Sequence, residues 1–239
     1  MKFSDEGIIV SGKKHGEDSL IVKILSKSHG ICNSFIKNSI NSKNYAKYQI
    51  GNLVFFDLYA KNANSLSYVK TENIESFSSK HILDFPRFNI INLFCLIISK
   101  NFMEQDPDSN LFSELLFFLN SLKEDNRSVV SNIIRFELKL LEMYGYGLDL
   151  SICTVTGSKD NLHFISPKSG KAVSYKSGQP YEDKLFCMTN FLKNNLFLDN
   201  TITKKDLLDS ADIIKFFMKK YGLLTDSIIL SRNNTISKL

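Results

Sequence analysis

The first third of the chain places apolar and polar residues alternately, in short runs. Runs of β-branched and aromatic residues predict β-strands at 7–11, 19–25, 31–36, 53–59 and 66–69. A Ser-His-Gly sequence at 28–30 favours a tight turn between the second and third strands. Because an open sheet of short strands would leave exposed edges, we expect a small closed barrel, and an OB-fold is the first choice.

From about residue 82 the apolar positions recur with helical spacing instead. The spacing predicts a helix at 88–102, a second helix capped by Asp108 or Ser109, a central helix from Val129, and two more at 181–196 and 204–221. The expected fold class is therefore α+β with two domains. An OB-fold domain at 1–78 precedes a mostly helical domain at 79–239, which contains an irregular segment at 150–180 rich in Ser, Gly and Lys.

The central helix has so wide an apolar surface that other elements must enclose it. At 100° per residue, one narrow arc holds the polar residues Ser131, Asn132, Arg135, Lys139 and Glu142. Glu137 is the exception, because it falls in the middle of the apolar arc. A buried carboxylate is costly without a partner, so we expect Arg87, another cation or backbone N–H groups to bind it in a structural role.

The end of this helix carries a recognisable signature. Residues 135–153 read Arg-Phe-Glu-Leu-Lys-Leu-Leu-Glu-Met-Tyr-Gly-Tyr-Gly-Leu-Asp-Leu-Ser-Ile-Cys, and this sequence resembles the RecO family of bacterial recombination mediators. The opening frame of that family is preserved at Gly7-Ile8-Ile9, Gly16-Glu17-Asp18-Ser19 and His29-Gly30. The resemblance covers essentially the whole chain. It implies an OB-fold and a role in DNA repair and recombination through the RecFOR pathway.

Composition limits the cellular setting. Four widely spaced cysteines make no disulfide framework, and the N-terminus has no signal-peptide pattern. The apolar run at 93–98 is far shorter than the roughly 20 residues that span a bilayer. We therefore expect a cytoplasmic protein with no membrane partner. The resemblance implies in addition that the protein is associated with the nucleoid. The net charge of +5 permits a polyanionic partner without requiring one.

The sequence contains no motif for covalent catalysis. It has neither a phosphate-binding glycine-rich loop nor a Gly-x-Ser-x-Gly elbow, and its four histidines are isolated from other metal ligands. Cys153 has no histidine in a motif with it, and a helix cap explains Asp106 and Asp108 better than a pair of catalytic carboxylates does. We expect a protein that binds without catalysing and needs no cofactor. A metal-dependent hydrolase is disfavoured.

Many RecO relatives carry two Cys-x-x-Cys pairs after the signature, which form a tetrahedral zinc site. In this chain Cys153 is the one retained ligand position, whereas Thr156, Ser174 and Ser177 stand at the other three. One thiolate and three neutral hydroxyls are a poor ligand set for Zn²⁺. We expect a degenerate, zinc-less segment that is held by hydrogen bonds and by the packing of hydrophobic residues.

The candidate nucleic-acid contacts lie in the predicted barrel, where residues 1–78 carry ten lysines against seven acidic residues. A basic groove with nearby aromatic rings suits single-stranded nucleic acid. The candidate contact residues are Lys13, Lys14, Lys37, Lys43, Lys47 and Tyr45, with Tyr48 and Phe35 as weaker stacking candidates. The alternatives are a solvated basic face for the lysines and a core position for Phe35.

The resemblance implies further partners: single- and double-stranded DNA, RecR, and the acidic C-terminal tail of single-stranded-DNA-binding protein (SSB). It also implies strand annealing. Arg135 and Lys139 are candidates for the tail contact, because an acidic, Phe-ended peptide needs a cation beside an apolar cleft. Ordinary surface pairs with Glu142 explain them equally well. The alternative function is a non-catalytic scaffold that binds protein or RNA with negligible DNA affinity, supported by the arginine-free loop at 37–49.

Overall fold

The computed structural model describes residues 2–37, 45–60, 66–102 and 109–239, with only the backbone described for Tyr45 and Ser109. The strands are β1 (Lys2–His15), β2 (Ser19–Ser26), β3 (Gly30–Ile36), β4 (Asn52–Tyr59), β5 (Ser67–Ser76), β6 (Leu162–Ile165), β7 (Ala172–Ser174) and β8 (Phe186–Cys187). The α-helices are α1 (Phe77–Lys80), α2 (Phe85–Asn101), α3 (Ser109–Ser121), α4 (Asn126–Met143), α5 (Tyr175–Gly178), α6 (Asn190–Lys193), α7 (Lys204–Lys220) and α8 (Asp226–Ile236). Short 3₁₀ helices lie at Tyr45–Tyr48 and Gln179–Lys184.

The first five strands form one sheet in the order β1-β2-β3-β5-β4, and β4 pairs back onto β1, which closes the sheet on itself. All pairings are antiparallel except that of β3 with β5, which is parallel. The five predicted strands are therefore confirmed, although β1 and β5 are longer than expected. This topology, followed by a mostly helical region, confirms the predicted α+β fold with an OB-type N-terminal part.

The barrel interior is filled by one residue of every two along each strand, including Ile9, Val22, Ile24 and Phe56. Gly7 belongs to this interior for a steric reason. A Cβ at Gly7 would lie 2.4 Å from Cγ2 of Ile24 and 2.9 Å from the Phe56 ring. A side chain at this position would therefore displace the core, and the remaining residues of each strand face outward.

Aspartate residues cap the N-termini of two of the long helices that follow the barrel. Asp84 caps α2, because its carboxylate accepts the N–H of Arg87 at 3.3 Å and pairs with the Arg87 guanidinium at 2.7 Å. Asp125 caps α4 in the same way by accepting the N–H of Ser128 at 3.1 Å. Of the capping pair predicted for the second helix, Asp108 lies outside the described residues and Ser109 is the first residue of α3.

The prediction of a helix at 181–196 is wrong. The chain there forms a 3₁₀ turn, then β8, then the short helix α6. Pairing of Phe164 with Cys187 takes residues 186–187 into a three-stranded sheet with the order β7-β6-β8, and positive φ angles at Asn195 and Leu196 end α6. This small sheet gives the segment at 150–180 more regular structure than its composition indicates.

Internal contacts divide the chain into two compact units, Met1–Leu122 with Leu230–Lys238, and Lys123–Ile229 with Leu239. In the first unit α2 and α3 pack with β1 of the barrel. In the second unit α4 packs with α7 and α6 packs with α7. The predicted division at 78 and 79 follows the change from strands to helices, whereas the contacts group α2 and α3 with the barrel. In the described part of the chain, no helix is long and apolar enough to cross a membrane.

Candidate nucleic-acid interface

A row of side chains in register crosses the outer face of the barrel. Phe35 on β3 pairs with Tyr68 on β5, and Tyr68 pairs with Tyr59 on β4. Paired residues on neighbouring strands project to the same side of a sheet. The residues that alternate with this row belong to the barrel core and include Ile36, Leu58 and Val69. Phe35, Tyr68 and Tyr59 therefore point outward, and we call these three residues the aromatic row.

The two tyrosines of the aromatic row are exposed, so that a base could stack on their rings. Tyr68 is 50% exposed and Tyr59 is 37% exposed. Phe35 is half-buried, and its ring meets those of Tyr68 and His15 edge to face, each with centroids 5.6 Å apart. Phe35 is thus not part of the barrel core. It supports the Tyr68 ring from the side, which is the arrangement that aromatic pairs prefer.

Three lysines flank the aromatic row. Lys13 on β1 pairs with Ile21, which in turn pairs with Phe35, and Lys2 at the other end of β1 pairs with Tyr59. The ammonium of Lys2 lies 5.2 Å from the centre of the Tyr59 ring. The ammonium of Lys37, directly after β3, lies 5.1 Å from the centre of the Tyr68 ring. We call Lys2, Lys13 and Lys37 the flanking lysines. Lys2 and Lys37 each lie over an exposed ring, and Lys13 lies on the same face, two strands away from Phe35.

The other predicted contact residues are placed differently. Lys14 pairs with Leu20, a residue of the barrel core, so it does not share the face of Lys13. Lys47 is exposed on the 3₁₀ helix, and a Cβ at Gly12 of β1 would lie 3.9 Å from the carbonyl of Tyr48. This helix therefore runs beside the Lys13 end of β1.

The loop at 37–49 holds predicted residues that the structure describes only in part. Lys43 lies outside the described residues, as does the side chain of Tyr45. Tyr48 packs against the barrel core and is not available as a stacking residue. The sequence prediction missed Lys2, Tyr59 and Tyr68. The alternation of Tyr68 between Ser67 and Val69 was the signal that could have placed it outward.

Arg135 and Lys139 share one helix arc but have different environments. The half-buried Arg135 guanidinium donates to the carbonyl of Leu196 from Nε at 3.2 Å and from Nη2 at 2.5 Å, and to Oδ1 of Asn132 at 2.6 Å. Burial lowers the pKa of Arg135, and the nearby charge of Glu124 opposes that shift. Lys139 is exposed and pairs with Glu142 at 2.8 Å. Arg135 therefore anchors the chain at 196, whereas Lys139 lies at the surface.

Glu137 is fully buried, as its position on the apolar arc predicts. It lies on α4 among buried hydrophobic residues such as Ile133, Ile134 and Leu141. The partner expected from the sequence (Arg87, another cation or backbone N–H groups) stays a prediction. The burial of Glu137 agrees with a structural role in the helical core.

Cys153 and the three hydroxyl residues Thr156, Ser174 and Ser177 lie together beside the small sheet. The Cys153 Sγ lies 3.4 Å from Oγ of Ser174 and accepts the Ser174 N–H at 3.2 Å, and Oγ of Ser174 lies 3.2 Å from Oγ of Ser177. Burial raises the pKa of Cys153, but hydrogen bonds from Ser174 and Thr156 outweigh burial and lower the pKa to about 6. Phe164 and Val173 pack against Cys153. Among the described residues, no three His, Cys, Asp or Glu side chains are grouped so that they could hold a metal.

Comparison with known proteins assigns the chain to a family. The family model "Recombination protein O N terminal" matches residues 1–77, and "Recombination protein O C terminal" matches residues 82–221. This chain belongs to the RecO family. The resemblance found in the sequence signature is thereby confirmed. The N-terminal RecO match contains the aromatic row and the flanking lysines, and the C-terminal match contains the signature and the Cys153 cluster.

Curated relatives agree over nearly the full length. The DNA repair protein RecO of Wolbachia pipientis wMel is 38% identical over 226 residues, which cover 94% of this chain and 93% of the relative. The DNA repair protein RecO of Orientia tsutsugamushi (strain Ikeda) is 33% identical over 234 residues, or 97% of this chain and 95% of the relative. That of Rickettsia felis is 32% identical over 221 residues, or 92% and 91%.

Proposed function

We propose that this RecO-family protein binds single- and double-stranded DNA without sequence preference and anneals complementary strands during DNA repair and recombination. The observation that carries the proposal is the aromatic row on the barrel, with lysines at its edges. Lysines neutralise phosphates and release counterions, while exposed rings stack on bases of any sequence. Both contributions are independent of sequence. The protein acts by binding, without covalent catalysis and without a cofactor.

The dimensions of the aromatic row suit a short stretch of single strand. Neighbouring strands of a sheet lie about 4.8 Å apart, so rings on three adjacent strands offer room for roughly two or three stacked bases. The acidic residues of this face are partly compensated, because Asp57 lies opposite Lys70 in the β4–β5 ladder and Glu6 pairs with Lys27 at 3.0 Å. Glu72 lies further along, opposite Phe55. The phosphates of the bound strand would then run past Lys2, Lys13 and Lys37.

Duplex DNA would use only part of this surface. Its bases are already stacked on one another and cannot lie on Tyr59 or Tyr68. The flanking lysines, together with Lys14, Lys43 and Lys47, still offer cations to the phosphates of a duplex. We therefore expect duplex binding that is almost entirely electrostatic, and single-strand binding with an additional stacking contribution.

We further propose that the protein works with RecR to load recombinase on DNA coated by SSB, and that it contacts the C-terminal tail of SSB. Membership of the RecO family supports this proposal. Lys139 is the better placed of the two candidate cations, because it is exposed, whereas Arg135 already binds the carbonyl of Leu196.

The direct test is fluorescence anisotropy of a labelled oligonucleotide and of a matched duplex across a salt series, followed by a strand-annealing assay. The proposal predicts binding to both, weakening steeply as salt rises, and accelerated annealing. Absent binding would favour instead a scaffold for protein or RNA, which a labelled RNA of the same sequence would help to identify. Annealing that stays at the spontaneous rate despite DNA binding would remove the mediator part of the proposal.

A further inference from the structure

The helices α4 and α7, which pack against each other, end in the same motif. At the end of α4, Gly145 has a φ of +86° and donates to the carbonyl of Glu142 at 3.0 Å, while the N–H of Tyr146 donates to Leu141 at 2.7 Å. This pair of hydrogen bonds is the Schellman motif, in which glycine adopts a left-handed conformation. The Gly-Tyr-Gly of the sequence signature is therefore the end of α4, and Tyr146 is the first residue beyond that turn.

The end of α7 repeats this arrangement. Gly222 has a φ of +80° and donates to Lys219 at 3.0 Å, and the N–H of Leu223 donates to Met218 at 2.9 Å. A tyrosine stands immediately before the left-handed glycine in both helices, at Tyr144 and at Tyr221. The two helix ends thus present tyrosines from three positions of the chain.

These tyrosines form a cluster at the surface. The rings of Tyr146 and Tyr221 are stacked, with centroids 4.0 Å apart and an angle of 6° between their planes. Tyr144 lies 5.9 Å from Tyr146 in a tilted orientation. Tyr146 is 44% exposed and Tyr144 is 37% exposed. We call Tyr144, Tyr146 and Tyr221 the tyrosine cluster.

Positive charge accompanies the tyrosine cluster. The Lys220 ammonium lies 5.0 Å from the centre of the Tyr221 ring and donates to the carbonyls of Pro167 at 2.8 Å and Lys168 at 2.6 Å. Carbonyls carry no net charge, so these bonds do not neutralise Lys220. Lys168 is exposed next to it. In the described part of the chain, no carboxylate lies within ion-pair distance of Lys168 or Lys220.

The acidic residues around the cluster have neighbours of their own. Asp149, whose backbone N–H binds Gly170, accepts a hydrogen bond from the Ser151 hydroxyl at 2.8 Å and lies near the charge of Lys171. Glu142 pairs with Lys139 at 2.8 Å, and Asp226 pairs with Lys219 at 2.7 Å. These pairs cancel locally, so the charges of Lys168 and Lys220 remain in excess. The excess also offsets the partial negative charge that two helix C-termini bring to one place.

A purely structural role for the tyrosine cluster would be to cover the ends of α4 and α7. The position of Tyr221 between Tyr146 and Lys220 fits that role. The exposure of the other two tyrosines goes beyond that role. An acidic peptide would need a cleft for its apolar side chain. Flat, stacked rings with uncompensated lysines instead match a base with its phosphate.

We propose that the tyrosine cluster, together with Lys168 and Lys220, is a second site for single-stranded nucleic acid, in the second compact unit of the chain. The inference rests on the proposed function, because annealing requires that one protein holds two strands. The barrel surface would bind one strand and the tyrosine cluster the other. Neither site depends on the base sequence of the strand. Annealing of any two complementary strands needs sites of this kind.

The chain contains no tryptophan, so a single Tyr→Trp substitution introduces a unique fluorescent reporter. Three variants of the full chain are compared: Tyr146→Trp for the cluster, Tyr68→Trp for the barrel, and Tyr181→Trp as an exposed control beside Glu182 and Asp183. Each is titrated with oligodeoxythymidylate of roughly 16 nucleotides, at the upper end of the site size of one OB-fold. A base that stacks on an indole quenches its fluorescence.

The inference predicts saturable quenching in Tyr146→Trp and little change in Tyr181→Trp. Quenching in Tyr68→Trp without quenching in Tyr146→Trp would overturn the second site while leaving the proposed function intact. Quenching in neither variant would overturn both. Quenching in Tyr146→Trp alone would support the cluster as a site and contradict the barrel site.

A second measurement addresses annealing itself. The double variant Tyr146→Ala/Lys220→Gln should slow annealing about fivefold or more, given the affinity that one stacked base contributes, while Tyr68→Trp quenching in the same background is retained. Tyr181→Ala/Lys184→Gln makes the same chemical changes at exposed positions and serves as the control. Thermal unfolding of both double variants checks that they fold. Unchanged annealing in a folded Tyr146→Ala/Lys220→Gln protein would contradict the two-strand role.

Discussion

Tyr68 meets the ring of Phe35 edge to face, with centroids 5.6 Å apart, across the parallel ladder that joins β3 to β5. The contact fixes the orientation of the Tyr68 ring, and half of that residue remains exposed. A ring held in place loses little conformational entropy when a base stacks on it. Tyr68 is therefore the residue on which we expect single-strand affinity to depend most.

Replacing Tyr68 by alanine should weaken single-strand binding roughly 5- to 150-fold, because one base–ring stack contributes about 1–3 kcal/mol. Duplex affinity should change little, since duplex bases cannot stack on the ring. Anisotropy with both ligands at one salt concentration measures the two effects. Tyr68→Phe should retain affinity, and Tyr181→Ala is the control for loss of an exposed tyrosine. Equal losses for single strands and duplexes would contradict the stacking role.

Local patterns predicted the strands of the barrel, because period-two alternation is visible over a few residues. The partner of each strand was not predictable in the same way. The pairing of Phe35 with Tyr68 joins residues far apart in sequence, so the aromatic row arises only when β5 inserts between β3 and β4. Charge alone selected Lys13 and Lys14 together, whereas strand geometry separates them.

The helical region shows the same limit. The long helices were predicted because α3, α4 and α7 have clear apolar periodicity and α2 is apolar over most of its length. The helix α8 was not predicted, since it buries Arg232 and exposes Leu230. The chain at 181–196 has apolar residues at helical spacing, yet a strand pairing with β6 takes part of it. The resemblance to the RecO family identified the residues at the degenerate zinc positions, and the structure brings those four residues together.

The Cys153 cluster should accept zinc if its ligands are restored. The triple variant Thr156→Cys/Ser174→Cys/Ser177→Cys would place four thiolates where Cys153 and three hydroxyls now lie. Oγ of Ser174 is 3.4 Å from Sγ of Cys153 and 3.2 Å from Oγ of Ser177. Four thiolates are a tetrahedral zinc set. Metal analysis after dialysis should find close to one zinc per chain and a higher melting temperature with zinc. Cys153→Ser in that background should release the metal. A zinc content equal to that of the wild type would show that the backbone is not arranged as a zinc site.

Asp5 should make the stability of the barrel depend on pH in the acidic range. Burial raises the pKa of Asp5, but hydrogen bonds from Ser26, the N–H groups of Ser28 and Glu6, and His29 hold it below its usual range. A depressed pKa in the folded state contributes stability above the unfolded pKa of about 3.9, and that contribution is lost as pH falls through the folded pKa.

Asp5→Asn should therefore lower the free energy of unfolding at neutral pH by about 1.5–3 kcal/mol, the range for hydrogen bonds to a charged group. Its stability should also fall less than that of the wild type when the pH drops below about 4. Urea unfolding at several pH values measures both effects, with the exposed Asp183→Asn as the control. A parallel pH dependence in Asp5→Asn and wild type would assign the acid sensitivity to other groups.

Substitutions of Arg135 and of Lys139 should have different effects on stability and on peptide binding. Arg135→Gln removes the charged hydrogen bonds to Leu196 and should destabilise the protein by about 1.5–3 kcal/mol. Lys139→Gln breaks an exposed pair and should change stability by less than about 1 kcal/mol. If the helix arc binds an acidic, Phe-ended peptide, Lys139→Gln should still weaken that binding in a titration. Unchanged peptide affinity in Lys139→Gln would remove Lys139 from the tail site.

The flanking lysines provide the most direct measurement. If Lys2, Lys13 and Lys37 each contact a phosphate, the variant in which all three are glutamine should reduce the slope of log K against log salt by about 2 for single strands. Lys123→Gln/Lys184→Gln/Lys204→Gln makes the same change in net charge at exposed positions of the second unit and should keep the wild-type slope. A wild-type slope in the Lys2→Gln/Lys13→Gln/Lys37→Gln protein would contradict DNA binding at the aromatic row.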